Sequence, residues 1–277
     1  MTGASGFVGR HLVPTLRDAG HAVEEHSTAA GDIASCHLPF RGLHAVIHLA
    51  GRTYVPASWR QTREFYEVNV LGTVNVLELC RRECASLVYV SSYVYGHPRS
   101  LPIAEDHPVA AVNPYAHTKL LAEDACRFYE SQFGIPVSIM RVFNVYGPGQ
   151  SEHFLIPALV RQALSADCNE IRVSDDRPRR DFVYIRDVVN LMIRMIGDPH
   201  PGVYNVGCGI SHSVGDIVSI INDVLGTSKP IRSTNDERIH EIADVRADIS
   251  RVSSTFGWRP EFGLRDGILR VVDAARH

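Results

Sequence analysis

The sequence predicts an α/β fold, a doubly wound parallel sheet with a smaller C-terminal lobe, and three observations carry this. Apolar runs of strand length alternate with helical stretches through the first half of the chain, the arrangement of right-handed βαβ units around a parallel sheet. A glycine-rich turn, TGASGFVG at 2–9, opens directly into an amphipathic helix. After YGPGQ at 146–150 the alternation becomes less regular, which marks the start of a second architecture.

Taken in order, the first strand is expected as five or six apolar residues ahead of Thr2, yet the chain begins at Met1. Either the polypeptide starts earlier or the sheet lacks its central strand. The second option leaves ladder hydrogen bonds unmade at a cost comparable with a domain's whole stability, which favours an earlier start. HAVEEHST (21–28) is read as the second strand, followed by HAVIHLAG (44–51), SLVYVSS (86–92) and PVSIMRVFN (136–144). Between them, EFYEVNVLGTVNVLELCRRE (64–83) and YAHTKLLAEDACRFYESQFG (115–134) carry apolar residues at helical spacing, and Gly134 with Pro136 closes the second helix. Beyond 150 a helix is expected near 154–165, a short strand at 170–174 (EIRVS), and a buried strand at 202–207 (GVYNVG) that returns to the main sheet. Residues 1–150 are therefore expected to form the sheet domain and 151–277 mainly the smaller lobe.

Composition narrows the function classes. At 277 residues the chain is long enough for one large α/β unit with a sizeable core, and 45% hydrophobic with 21% charged residues is that of an ordinary globular protein. A formal net charge of -3 offers no broad basic surface, so no nucleic-acid partner is expected. No apolar run reaches the roughly 18 residues of a membrane span, and no signal core follows Met1; no membrane partner and a cytoplasmic location are expected. The six cysteines are scattered without CxxC pairs, as in a reduced intracellular enzyme. Cys80 and Cys84 can share a helix face, but no His or carboxylate accompanies them at ligand spacing, and no metal is expected.

Gly3, Gly6 and Gly9 stand just ahead of the first helix, with Phe7 and Val8 between them. Glycines there let the backbone turn tightly and approach a pyrophosphate, which then sits at the positive end of the helix. The spacing is GxxGxxG, not the GxGxxG of the usual dinucleotide fingerprint, and is similar to that of the short-chain dehydrogenase/reductase superfamily. Ser27 occupies the strand end where an acid would hold the adenosine ribose of NAD. The missing carboxylate removes repulsion against a 2′-phosphate, yet no adjacent arginine attracts one; the cofactor is expected to be NAD, with NADP open. Asp32 is placed to hold the adenine amino group, or simply to form a turn.

Tyr115 and Lys119 lie four residues apart, one helical turn, so both project from the same face. A free tyrosine has a pKa near 10, and about 4 kcal/mol is needed to make its phenolate available at pH 7. A nearby ammonium and a positive nicotinamide ring both favour that anion. Tyr115 can then accept a proton from a hydroxyl while hydride leaves the carbon. Ser91, at the end of a strand, is expected to orient the same hydroxyl.

The glycine loop, HLAG, NVLGTVN, VSSYVYG and NPYAHTK occur in one order at intervals that fit successive strands. From Thr2 to about Pro260 the chain resembles the extended short-chain dehydrogenases, the NAD-dependent epimerase/dehydratase family. The resemblance implies a Rossmann-type sheet with a substrate-binding lobe, and cofactor contacts from Gly3, Gly6, Phe7, Val8, Gly9, Asp32, Ile33, Leu49, Ala50, Gly51, Asn69, Tyr115, Lys119 and Phe143, with Phe143 near the nicotinamide. In the sugar-nucleotide members the strand after the catalytic helix ends in RxFNxYGPGQ, here RVFNVYGPGQ. This implies that Ser91 and Asn144 touch substrate, Asn144 at its diphosphate, and that Leu155 of FLIPALV lines the nucleotide pocket. RRDFVYIRDVV places Arg180 at the phosphates, where a guanidinium fork suits two oxygens. Arg238 and Glu241 match positions that hold phosphate and ribose, although the second is usually Asp. TFGWRPEFGLRDGI (255–268) resembles a structural closing element.

Family dehydratases follow the catalytic hydroxyl residue with Asp and Glu; here Ser92 and Tyr93 stand there, which disfavours elimination. The resemblance therefore implies an NAD(P)-dependent epimerase acting at C4 of a nucleotide-linked hexose. An NADPH-dependent nucleotide-4-keto-sugar reductase is the alternative within enzymes, and a non-catalytic dinucleotide-binding sensor the alternative outside them. A homodimer through the helices of 64–83 and 115–134 is a further implied expectation.

Overall fold

The computed structural model describes residues 1–234 and 242–276. In chain order the elements are α1 (Phe7–Asp18), β1 (Ala45–His48), α2 (Val55–Ser58), α3 (Thr62–Tyr66), α4 (Gly72–Glu83), β2 (Ser86–Ser92), α5 (Pro114–Phe133), β3 (Val137–Val142), β4 (Asn144–Tyr146) and α6 (Leu155–Leu164). They continue as β5 (Ile171–Val173), β6 (Arg179–Tyr184), α7 (Ile185–Gly197), β7 (Gly202–Val206), β8 (Ser211–Ser213), α8 (Val214–Leu225), β9 (Ile231–Ser233), β10 (Asp244–Val245), α9 (Ser250–Phe256) and α10 (Leu264–Ala275).

Strand alternation builds the doubly wound sheet. The order is β1-β2-β3-β7, every pair parallel. Because successive side chains point to opposite faces, each strand feeds two cores. Val46, Leu87, Tyr89, Val137 and Ile139 pack with Val76, Leu77, Cys80, Ala122 and Cys126 of α4 and α5. Their neighbours Ile47, Val88, Met140 and Val142 share a second cluster with Leu12 and Leu16 of α1 and Val188, Leu191 and Met192 of α7. That second cluster runs on without a break into α6, α8 and α10. The segment 202–207 does return to the sheet, as β7 beside β3. Smaller sheets lie beyond it, β10-β6-β4 with β8 antiparallel to β6, and β5 parallel to β9.

Two expected elements differ. HAVEEHST forms no regular strand; only His26 pairs, with Thr2. Met1 to Ala4 threads between this segment and β1: the His26 amide donates to the Met1 carbonyl at 2.8 Å, Thr2 donates to Ile47 at 3.0 Å, and Leu49 donates to Thr2 at 3.3 Å. The Met1 amine donates to the Glu24 carbonyl at 2.7 Å. The helix expected over 64–83 is split into α3, a π-helical segment at 67–71, and α4. The closing segment is anchored as a structural element. Buried Trp258 donates to the Asp187 carbonyl at 3.0 Å, and the Asp187 carboxylate accepts the amides of Glu261 (3.0 Å) and Phe262 (3.3 Å). Among the described residues no helix is long and apolar enough to cross a membrane.

Candidate active site

The glycine loop is shaped by what surrounds it. Gly3 has φ +71°, and a Cβ there would stand 2.7 Å from the Ala50 amide nitrogen and 2.8 Å from the Leu49 carbonyl carbon. At Gly9 a Cβ would come within 2.4 Å of the Gly3 and Ala4 carbonyl oxygens. The backbone therefore lies against 49–50 with no room for side chains, and α1 begins at Phe7 behind Gly6 with no side-chain cap on its first amides. Free amides at a helix N-terminus beside a bare backbone turn suit a pyrophosphate, so these residues fit a dinucleotide. His48 ties the cradle together: Thr2 Oγ1 lies 2.6 Å from Nδ1 and Thr73 Oγ1 lies 3.1 Å from Nε2. Thr73 in turn donates to the Asn69 carbonyl, so Nε2 is the ring donor by this network. Burial, with Lys119 nearby, drives the pKa of His48 down to about 3 and keeps the ring neutral.

Asn113 and Pro114 set where the next helix starts. The Asn113 side chain accepts the Ala116 amide at 2.8 Å, and proline at N1 wastes no donor, so α5 opens with Tyr115 and Lys119 on its first turns. Lys119 is buried and donates to the Val90 carbonyl at 2.6 Å, its ammonium 4.8 Å from the centre of the Tyr89 ring. Desolvation lowers its pKa to about 8, with Glu123 pulling the other way. Asn69, on the π-helical segment, clamps the 50–52 loop here. Its Oδ1 accepts the Arg52 amide at 2.8 Å, and its Nδ2 donates to the Arg52 carbonyl and to Thr118. A Cβ on Gly51 would meet Asn69 Oδ1 at 3.1 Å and Lys119 Nζ at 3.9 Å. Gly51, Asn69 and Lys119 are thus adjacent.

Tyr115 is partly exposed, yet burial of its hydroxyl pushes its pKa up to about 12. Ser91, the partner anticipated for it, has a hydrogen bond of its own. Ser91 donates to Glu123 Oε1 at 2.6 Å, inside a buried cluster in which Arg141 binds both Glu123 oxygens at 3.0 and 2.7 Å. Adjacent strand residues face opposite sides, and the buried carboxylate captures the first of the two serines. Phe143 is buried and stacks on Tyr93, ring centres 5.1 Å apart, within a cluster containing Tyr95, Ile103 and Ala247. Asn144 accepts from the Tyr93 hydroxyl at 3.2 Å and donates to the Asp181 carbonyl at 3.0 Å.

The remaining positions are more scattered. Asp32 is exposed and holds a turn, accepting the Ala34 amide at 3.0 Å. Ile33 is buried beneath Gly72, where a Cβ would come within 2.8 Å of it. The YGPGQ loop is drawn to α1 through His11 and the Pro148 carbonyl (2.9 Å) and Arg10 and the Gly149 carbonyl (3.4 Å). Leu155 opens α6 and is half-buried. Arg180 is half-buried and donates to the carbonyls of Arg179 and Ile242. Arg238 and Glu241 lie outside the described residues. Among those described, no group of three or more His, Cys, Asp or Glu side chains is placed to hold a metal.

The model of the NAD dependent epimerase/dehydratase family matches residues 1–207. The chain belongs to that family. GDP-6-deoxy-D-mannose reductase of Pseudomonas aeruginosa is 32% identical over 293 residues, covering 98% of this chain and 95% of the reductase. A putative UDP-glucose 4-epimerase of Methanocaldococcus jannaschii is 30% identical, covering 99% and 96%. Among solved structures, RMD from Pseudomonas aeruginosa complexed with NADPH superposes with a TM-score of 0.88 at 31% identity, over 99% of this chain and 98% of that one. MoeE5 in complex with UDP-glucose and NAD gives 0.87 at 28% identity, over 99% and 97%. The family is NAD-dependent and its members with named activities are enzymes, so the glycine cradle has its ligand class; the sheet is the Rossmann type of these relatives.

Proposed function

We propose that this member of the epimerase/dehydratase family moves hydride at C4 of a nucleotide-linked hexose, as a 4-epimerase. The observation that carries the reading is Tyr115 one helical turn before Lys119, which is buried, held on the Val90 carbonyl at 2.6 Å and adjacent to the Gly51–Asn69 clamp. Tyr115 takes the proton of the C4 hydroxyl and returns it. Lys119 holds its ammonium under the site through the Val90 carbonyl. The bound nicotinamide supplies the hydride acceptor and, when oxidised, a positive charge that favours the phenolate against its burial. Asn144, Leu155, Arg180, Arg238 and Glu241 are assigned to the nucleotide and its phosphates.

Dehydration is disfavoured whichever serine is counted. After Ser92 come Tyr93, which stacks on Phe143, and buried Val94, so no carboxylate stands in line to remove a proton from carbon. The reductase relative, at 32% identity, favours a second reading, an NADPH-dependent 4-keto-sugar reductase. Ser27 carries no carboxylate against a 2′-phosphate and leaves NADP as an admissible cofactor. Incubation with UDP-, GDP- and dTDP-hexoses, and separately with nucleotide-linked 4-keto sugars and NADPH, followed by proton NMR and NADPH absorbance, decides between them. Epimerisation without net cofactor change supports the first reading, net oxidation of NADPH with a 4-keto sugar the second, and conversion of no sugar refutes both. Tyr115→Phe is expected to abolish turnover in either case. The partly exposed faces of α4 and α5, with Phe128 and Phe133 at the surface, are proposed as a homodimer contact.

A further inference from the structure

Asn144 is held from two directions by parts of the chain that lie far apart in sequence. Its Nδ2 donates to the Asp181 carbonyl at 3.0 Å, and its Oδ1 accepts from the Tyr93 hydroxyl at 3.2 Å. The first bond settles which way the amide points. A carbonyl can only accept, so the atom facing Asp181 is the nitrogen and the atom facing Tyr93 is the oxygen. The phenol is then the donor. What remains of the amide includes one N–H, on a residue that is half-buried. A fixed N–H suits an anionic oxygen such as that of a diphosphate. Hydrogen bonds in a chain polarise one another, so a donor on Oδ1 also strengthens the N–H at the other end of the amide.

Both anchors are themselves set firmly. The Tyr93 ring stacks on Phe143, centres 5.1 Å apart and planes 21° apart, and packs on the small cluster that holds Tyr95, Ile103 and Ala247. Phe143 is buried between β3 and β4, and its amide donates to the Val206 carbonyl at 2.9 Å. The ring of Tyr93 thus rests on one residue while its hydroxyl holds the next. Asp181, on the other side, is fully buried, and its carboxylate accepts the amides of Cys208, Gly209 and Ala247. Arg180, also assigned to the phosphates, donates to the Ile242 carbonyl at 2.6 Å, and Ile242 packs on the same cluster as Tyr93.

We propose that Tyr93 is a positioning residue of the substrate site: its hydroxyl fixes the Asn144 amide with an N–H for the diphosphate of the nucleotide-linked substrate. The proposal rests on the sugar-nucleotide reading above and adds a residue to it. Tyr93 acts through Asn144 and not on the reacting carbon, so its loss falls on binding and leaves the hydride step as it was.

Tyr93→Phe, Asn144→Ala and the double variant, each in the full chain with NAD(P) added, test this. Calorimetric titration with UDP, GDP and dTDP gives Kd for the one that the wild type binds most tightly, and initial rates give KM and kcat on the hexose that it converts. Tyr93→Phe keeps the ring on Phe143. It is expected to raise Kd and KM about three- to tenfold, with kcat within about twofold and a thermal midpoint near that of the wild type. Asn144→Ala is expected to raise Kd about 10- to 100-fold. In that background Tyr93→Phe should change Kd by less than about twofold, because the hydroxyl has lost what it positions. Strict additivity in Kd would mean that the hydroxyl meets the ligand by itself, and overturns the proposal. A Tyr93→Phe variant that lowers the thermal midpoint alone, or kcat alone, overturns it too. A wild type that binds none of the three diphosphates and converts no nucleotide hexose sinks the sugar-nucleotide reading and this proposal with it. A wild type that binds one of them, with Kd unchanged in Tyr93→Phe, sinks this proposal alone.

Discussion

Glu123→Gln tests how far the site's architecture depends on one buried ion pair. Glu123 is fully buried, and Arg141, at 3% exposed, binds both its oxygens. Apart from Glu123, Arg141 has the Glu105 carbonyl at 3.3 Å and the Tyr95 ring at 4.8 Å, neither of which carries a charge. The amide therefore leaves a guanidinium uncompensated inside the protein. Removing one partner of a buried pair costs about 3–5 kcal/mol. At about 2–4 °C per kcal/mol for a chain approaching this size, the thermal midpoint should fall by about 6–20 °C. Arg141→Met should cost less, because Glu123 retains Ser91 and the half-exposed Arg127. In the double variant neither charge is stranded, and its loss should fall short of the sum of the singles by about 1–3 kcal/mol. Thermal and urea unfolding of the four proteins measures this. A Glu123→Gln midpoint within a degree of the wild type, or strict additivity, would refute the reasoning.

Three further outcomes are expected. Gly9→Ala forces a Cβ to within 2.4 Å of two carbonyl oxygens, and the resulting shift of the cradle should weaken NAD(P)H binding at least about tenfold by calorimetry. Burial raises the Asp181 carboxyl from 3.8 to about 6, although it accepts the amides of Cys208, Gly209 and Ala247. The folded state thus binds this proton more tightly than the unfolded state, and the group's contribution to stability is lost as pH rises from about 4 to about 6, by up to about 3 kcal/mol. Asp181→Asn should flatten that part of the urea midpoint–pH curve, and an unchanged slope would contradict it. Lys119 has the opposite linkage for its own charge type. Its pKa is lowered to about 8, so the cost of burying its ammonium is present in full below pH 8 and fades toward pH 10.5. Lys119→Met should remove that stabilisation on the alkaline side along with turnover, as read by unfolding scans at pH 7 and pH 10.

Much of the fold was legible because its strands and helices follow simple periods. VIH (46–48), SLVYVSS and VSIMRV are largely buried on both faces and read as parallel strands from composition alone. The start of α5 was written in Asn113 and Pro114. The break in the 64–83 helix was not legible, since its apolar spacing is continuous and the interruption centres on Asn69, whose amide holds the distant Arg52 backbone. The engagement of Ser91 by Glu123 was half legible. Period two says that Ser91 and Ser92 face opposite ways, but what Ser91 bonds depends on a partner far along the chain. Arg141 in the middle of an apolar strand was the available signal, because a buried guanidinium requires a buried carboxylate, and Glu123 sits one turn past Lys119 on the adjoining helix.

That pairing also shapes the chemistry open to the cleft. An elimination across C5 and C6 needs a carboxylate free to take a proton from carbon. Glu123 is engaged by Arg141, Arg127 and Ser91, and Glu105 accepts the Asn205 amide at 2.8 Å. Ser92 and Tyr93 at the end of β2 are half-buried, and the Lys119 ammonium is held on the Val90 carbonyl. Hydroxyls backed by an ammonium can move a proton to and from oxygen but make poor bases toward carbon. With both carboxylates so engaged, the proposed hydride exchange at a carbinol carbon asks less of this chain's residues than loss of water would.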